Sequence, residues 1–402
     1  MTQTCRHCAT PLTLEFLDLG HAPPSNAYLS EADLTRPELT FPLRLMACTD
    51  CRLVQTLDFS SADELFTEDY AYFSSTSQGW LNHAAAYVSM IADRLGLDGD
   101  SHVIEVASND GYLLRNFVAA GIPCLGIEPT RSTAIAAEAL GIPVRQEFFG
   151  EAMAATVPAS DLIIGNNVYA HVPDINDFTR GLARALKPQG VITLEFPHLM
   201  RLVEFGQFDT VYHEHYSYLS LMAVERIFKA AGMAVFDVEE LSTHGGSLRV
   251  YGGHAGAHEE RAVVATLRAL EAARGMDTDA FYEGFQPVAN RIKDDFLRFL
   301  LDVRATGRTV AGYGAAAKGN TLMNYAGVRP DLMPYVCDAA PAKIGTWLPG
   351  SHIPVRPPAA LREAPPDYVV ILPWNIADEV AGSLADLTDT QLVTFVPERR
   401  YL

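Results

Sequence analysis

Between residues 100 and 250 the chain alternates buried strand-like runs with helical stretches, and few architectures accommodate that rhythm. HVIEVASNDGYLL reads as strand, turn and helix, and CLGIEPT as a second strand ending in Glu128. DLIIGNNVYAHV supplies a third strand, and ALKPQGVITLEF a helix end, a turn and a fourth strand. A βαβ succession of this kind implies a doubly wound sheet, with ligands at the carboxyl edges of its strands. The turn after the first strand carries Asn109-Asp110-Gly111, where a glycine lets backbone approach a ligand. At the end of the second strand, Glu128 can accept both hydroxyls of a ribose. Lys187-Pro188-Gln189-Gly190 punctuates the passage into the fourth strand.

With 402 residues the chain exceeds one ordinary core, and three regions are expected, 1–62, 63–255 and 256–402. The first holds Cys5-x-x-Cys8 and Cys48-x-x-Cys51. Two thiolates on a tight turn can bind one face of a tetrahedral Zn²⁺, and a second pair completes it. The alternative is disulfides or a redox CxxC, which the doubled motif disfavours. Closed by four protein ligands, such a metal holds a lobe together and does no chemistry. Cys124 and Cys337 stand alone in apolar runs and read as inert buried thiols. A helix is expected from about Gly79 to Leu95, and ahead of it EDYAYFSSTS reads equally as a strap over a site or as a surface loop.

The third region opens with a helical pattern through 259–304, followed by strand, glycine turn and helix in RTVAGYGAAAKGNTLMNYAG. Gly312-x-Gly314 with Lys318-Gly319 could cradle phosphates, and Asp338 ends a further strand where the ribose of an NAD would be read. DYVVILPWN and QLVTFVPE add strands, giving a second Rossmann-like unit. The formal charge of −19, from 49 acidic against 30 basic side chains, repels nucleic acid as a whole. No run approaches the roughly 18–20 apolar residues that cross a bilayer. MTQTCRHC lacks the apolar core of a secretory signal, so a cytoplasmic location is expected.

The stretch DTVYHEHYSYL crowds two of the chain's 12 histidines around Glu214. A zincin would need H-E-x-x-H, but Ser217 stands in the second histidine's place. In an extended segment His213 and His215 would share one face, with Tyr212, Glu214 and Tyr216 on the other, unless a local kink mixed the sets. A proton-handling site and ordinary interior polar residues both remain open at this point.

The order EVASNDG, GIEP, NNVYAHV and LKPQGVITLE resembles a class I S-adenosylmethionine-dependent methyltransferase. Of the usual glycine-rich E/D-x-G-x-G-x-G only Gly111 survives, with Ala107 and Asn109 at the earlier sites. Taken with the paired-cysteine lobe and YHEHYSYL, the whole chain resembles the deoxysugar C-methyltransferases of antibiotic sugar pathways. That resemblance implies three parts: a small N-terminal zinc-binding lobe, a central doubly wound class I methyltransferase domain and a C-terminal Rossmann-like α/β domain. It implies S-adenosylmethionine against Glu105, Asn109, Asp110, Gly111, Glu128, Pro129 and Asn167, with a structural zinc on Cys5, Cys8, Cys48 and Cys51. The substrate it implies is a dTDP-linked keto-deoxysugar, met by Tyr212, Glu214, Gly246, Ser247, Arg249 and Lys318. His215 would be the base that acidifies a carbon beside the ketone, methylated at C-3 or C-5, with His171 a candidate donor to the enolate oxygen. The rivals are an O- or N-methyltransferase, an NAD-dependent sugar oxidoreductase and a non-catalytic zinc-ribbon module.

Overall fold

A computed structural model describes residues 3–57, 73–76 and 78–402 of the chain. The first strands are β1 (Leu14–Ala22), β2 (Phe41–Ala47) and β3 (Val54–Thr56), antiparallel neighbours beside the cysteine knuckles. Then come β4 (Val103–Val106), β5 (Cys124–Ile127), β6 (Val144–Arg145), β7 (Ser160–Asn166) and β8 (Leu186–Pro197). A two-residue strand, β9 (Ser217–Tyr218), precedes the hairpin of β10 (Met233–Leu241) and β11 (Ser247–His254). The last set is β12 (Val310–Tyr313), β13 (Val336–Cys337), β14 (Val355–Arg356), β15 (Tyr368–Ile371), β16 (Gln391–Thr394) and β17 (Arg400–Tyr401).

The central sheet has the order β10-β11-β8-β7-β4-β5-β6, parallel from β6 through β8 and antiparallel on either side of β11. β4 is buried at all four positions, as a strand covered on both faces must be. The order reverses beside β4, which puts the ligand crevice above β4 and β7. The C-terminal sheet, β14-β13-β12-β15-β16-β17, is parallel except for its last pair.

Several expectations need correction. The KPQG stretch is no turn before a strand but a bulge inside β8. Ser160 pairs with Leu186 and Leu162 with Val191, so three extra residues of β8 loop out between those pairs. The helical pattern over 259–304 divides into Ala262–Ala273, Asp279–Glu283 and Phe285–Ala305, interrupted at Gly275 and Gly284. The helix expected from Gly79 runs over Gln78–Leu95. EDYAYFSSTS lies outside the described residues apart from Phe73–Thr76.

The three sheets do not stand apart. β9, drawn from the central stretch, pairs with β3 and so extends the N-terminal sheet. One apolar cluster then runs from Cys5 and Leu17 through Phe196 and Phe228 to Phe296 and Val396.

Candidate functional site

The cysteine knuckles are built alike. Ala9 N and Arg52 N donate back to the carbonyls of Cys5 and Cys48, and both residues take positive φ (60° and 64°), closing each turn so that its two thiols face the same way. All four sulfurs lie within 4.8 Å of one another, with Cys5–Cys51 and Cys8–Cys48 at 3.5 Å. Tetrahedral Zn–S bonds of about 2.3 Å require sulfurs about 3.8 Å apart, so the nest fits the ion. Hydrogen bonds from Cys48 and Cys51 lower the Cys5 thiol, and Gln55 Nε2 adds a donor 3.2 Å from its sulfur. The lobe docks firmly on the central sheet. Arg6, inside the first knuckle, donates to the carbonyls of Pro173 (2.7 Å) and Thr56 (3.1 Å). Asn176 Nδ2 returns bonds to the carbonyls of Arg6 and His7.

At the carboxyl edge of β4 the backbone keeps the conformation that glycines would supply. Ala107 and Asn109, at the positions where glycine is absent, take φ of 57° and 49°. An Ala in this region costs on the order of 1 kcal/mol, so the surrounding structure must enforce it. Gly111, also left-handed (φ 78°), serves packing and not ligand approach, since a Cβ there would strike Ile142 and Ala137. Glu128 holds the loop from the neighbouring strand, accepting Asn109 N and Thr130 N at 2.9 Å each. Each of its oxygens keeps a second lone pair for a hydroxyl. Ser74 N and Ser75 N donate to Asn109 Oδ1 and Asp110 Oδ2.

Buried polar atoms, most of them acceptors, gather around this loop. Asp110 Oδ1, Asn167 Oδ1 and both amide atoms of Asn166 have no hydrogen-bond partner among the described residues. Burial pushes the Glu105 carboxyl well above its usual range, and Glu128 and Asp110 add to the rise while the Tyr112 hydroxyl opposes it. Such orphans suit a ligand rich in donors, and S-adenosylmethionine carries an ammonium, two ribose hydroxyls and an adenine amine. Pro129 sits half-buried beside Glu128.

The HEH segment is a turn rather than an extended run, with His215 N bonded to Tyr212 O at 3.0 Å. The turn brings the Tyr212 ring to 4.0 Å from that of His215, and His171, after β7, meets the same ring edge-on at 4.5 Å. His213 points away to the N-terminal lobe, 3.3 Å from the carbonyl of Phe41. Glu214 accepts from Asn26 Nδ2 at 3.3 Å, and burial raises its carboxyl. Burial holds His215 well below the usual histidine range, and the charges of His171, His244 and Lys318 reinforce this against a backbone hydrogen bond to Thr210. His171 is lowered to about 4, also by burial. Its Nδ1 lies 2.8 Å from Glu214 O, and a carbonyl can only accept, so the neutral ring holds its proton at Nδ1 and a lone pair at Nε2. That tautomer cannot donate from Nε2 to an enolate oxygen, contrary to the role expected of it.

Three expected substrate contacts are engaged otherwise. A Cβ on Gly246 would meet Arg201, and one on Gly245 would meet Trp374 and Gln207, so side chains fill the space reserved for a ligand. Ser247 Oγ donates to Thr243 O. Arg249 is a buried ion pair, bound to Glu195 (2.7 Å) and Glu239 (2.9 Å) with its guanidinium over Tyr87. The glycine turn after β12 is likewise packed, Gly312 against Val336 and Met333 and Gly314 against Pro373. Asp338 accepts Ala315 N and Ala340 N, closing its own turns.

Lys318 reaches the cleft between the sheets, half-buried, donating to Asn375 Oδ1 and lying 4.5 Å over the Trp374 ring. Desolvation lowers it to about 8 while the charge of Asp209 works the other way, and Trp374 Nε1 donates to Asp209 Oδ2. Sequence reasoning missed Trp80, Asn166, Trp374 and His244. His244 stands two residues before Gly246, which drew attention instead, and shares its turn.

Residues 5–66 match the family described as "Putative zinc binding domain", 80–238 "Methyltransferase domain" and 242–397 "C-methyltransferase C-terminal domain". The chain is 32% identical over 405 residues to the C-methyltransferase NovU of Streptomyces niveus, covering 99% of this chain and 96% of that one. An uncharacterized methyltransferase of Mycobacterium leprae is 27% identical over 128 residues, 28% of this chain and 48% of its own. The magnesium protoporphyrin IX methyltransferase of Synechocystis PCC 6803, solved with S-adenosylhomocysteine bound, overlaps 43% of this chain and 83% of its own at 14% identity and a TM-score of 0.36.

Proposed function

The chain belongs to the C-methyltransferase family, and from that premise we propose that its acceptor is a carbon of a dTDP-linked 4-keto-deoxysugar, at C-3, made nucleophilic as an enolate. The observation that carries this reading is the buried, neutral His215 packed between Tyr212 and His171. An oxygen or nitrogen acceptor already carries the lone pair that attacks, whereas a sugar carbon becomes nucleophilic only after losing a proton beside a carbonyl, so the base is indispensable only there. When bound, S-adenosylmethionine supplies an electrophilic methyl on a sulfonium. Glu128 would hold its ribose, Asn109, Asp110 and Asn167 its methionine end, and Phe148, 57% exposed just beyond β6, would offer its base an apolar face.

In this reading His215 takes the carbon's proton while the electron pair moves onto the ketone oxygen. Tyr212 and Glu214 flank the sugar, and Lys318 meets the diphosphate from the C-terminal sheet. The four cysteines hold zinc as a closed structural ion beside the reaction, not within it. The units 1–62, 63–255 and 256–402 then serve metal, cofactor and nucleotide in turn, supported by the three sheets and by the family matches.

The test is proton exchange in D₂O with enzyme, a dTDP-4-keto-deoxysugar and S-adenosylhomocysteine, where methylation cannot follow. Exchange at C-3 by wild type, lost in His215→Ala, is the expected result. Exchange and methylation at C-5 would move the acceptor carbon, and methylation on oxygen or nitrogen without carbon exchange would overturn the reading.

A further inference from the structure

Enolate chemistry needs a donor as well as a base, and His171 is tautomerically unsuited to that task. His215, held neutral by burial, is the base in that reading and cannot serve as the donor as well. Resting on the reading above, we propose that His244 supplies the hydrogen bond that holds the enolate oxygen. Its ring lies between Asn167, after β7, and Trp80, whose ring is 5.3 Å away. Asn167 Nδ2 is 3.3 Å from His244 Nε2, and an amide nitrogen can only donate, so Nε2 accepts and the proton sits on Nδ1. With its amide so turned, Asn167 leaves Oδ1 buried without a partner among the described residues, an acceptor placed for the cofactor's ammonium. One side chain thus orients both the cofactor and the donor.

The backbone reports the same role. His244 takes φ 53° and ψ 19°, a left-handed conformation that costs a non-glycine residue and persists only when its surroundings impose it. They do so here. Gln207 Nε2 donates to Gly245 O, Ser247 Oγ to Thr243 O, and Thr243 Oγ1 to Glu195. Among the described residues, non-glycine positive φ occurs at seven places. Two close the zinc knuckles, and four, Ala107, Asn109, Asn167 and His244, surround this cleft. The residue is half-buried, and burial with the Lys318 ammonium lowers the ring to about 4, so it is neutral near pH 7. A neutral N–H donor steadies the enolate without protonating it, and the proton stays on His215 until solvent takes it. The methyl then passes to carbon as the C–S electron pair leaves with sulfur.

Asparagine and aspartate decide the matter, because both tolerate left-handed backbone and are nearly isosteric, yet only asparagine carries a donor where Nδ1–H stood. His244→Asn should keep turnover and C-3 exchange within about tenfold of wild type. His244→Asp should lose about 10²–10³-fold, the usual range for an oxyanion donor, and His244→Ala should fall between or match it. Affinity for S-adenosylhomocysteine should stay within about threefold in all three, with unchanged circular dichroism. Long-range ¹H–¹⁵N spectra should show the His244 proton on Nδ1, a readout that needs no substrate. Equal losses in the Asn and Asp variants, or a proton on Nε2, would overturn the assignment while leaving carbon methylation intact. Failure of wild type to methylate carbon at all would instead remove the reading beneath it, and the proposal with it.

Discussion

His215 shows how burial selects a base. Its conjugate acid is destabilised by desolvation and by the Lys318 ammonium, so the ring stays neutral well below pH 6.5. The acid limb of kcat/KM should therefore lie below the ordinary histidine range, and His215→Ala should lose about 10²–10⁴-fold in kcat while still binding cofactor. Near-normal turnover would send the search to His171. Lys318 titrates from the other side. Its ammonium is present below about 8 and lost above it, so affinity for a dTDP-sugar should fall as pH rises through 8. Lys318→Met should weaken dTDP binding, remove that limb and spare S-adenosylmethionine, a pattern that calorimetry at two pH values would show. For Glu128→Ala the expected loss of cofactor affinity is roughly 1–3 kcal/mol. Because Glu128 also bonds two backbone amides, part of that loss would come through the shape of the loop.

At the scale of elements, the zinc knuckles and the catalytic turn are one construction. β3 pairs with β9, Thr56 Oγ1 bonds His215 O at 3.2 Å, and Thr56 N bonds Tyr216 O at 3.2 Å. Arg6, between the first two cysteines, reaches the stretch that follows His171. Stripping zinc by chelation should therefore cost turnover before it costs cofactor binding. A displacement of about 1 Å is enough for a 10²-fold loss. Measuring metal content, methylation rate and S-adenosylhomocysteine affinity on the same partly stripped samples would test this. A proportional loss of all three would mean that the lobe merely supports folding.

Across the whole molecule, the C-terminal sheet is keyed into the central one. Trp374 fills the space of the Cβ that Gly245 lacks and bonds Asp209, while Thr321 and Asn320 bond the carbonyls of Val211 and Ser25. Gly245→Ala, at φ 88°, should destabilise by roughly 1–3 kcal/mol through overpacking, with added backbone strain, and open the cleft. Because one apolar cluster spans all three sheets, denaturant unfolding should follow a single transition, and a separate early transition of the C-terminal part would contradict that shared core.

The strands of the central sheet were legible because burial on both faces writes an apolar run that needs no partner to be read, as in VIEV. The cysteine nest was legible because a metal's ligand set is named by residue type and spacing. β6 and β9, two residues each, were not, since so short a strand exists only by virtue of its neighbour. Ala107 and Asn109 looked like a weakened glycine motif, yet their backbone is that of glycine, because hydrogen bonds from their amides to Ile127 O and Glu128 outweigh a residue's own preference. Residue types and their order along the chain were sufficient for the sheet and the metal ligands, which depend on local pattern, while the cofactor class followed from the resemblance to a methyltransferase family. Which histidine donates and which accepts, and whether Arg249 or Gly246 faces a ligand or a neighbour, was decided by tertiary structure alone. A proton's place on an imidazole depends on what stands 3 Å from the other nitrogen, and that partner comes from a distant part of the chain.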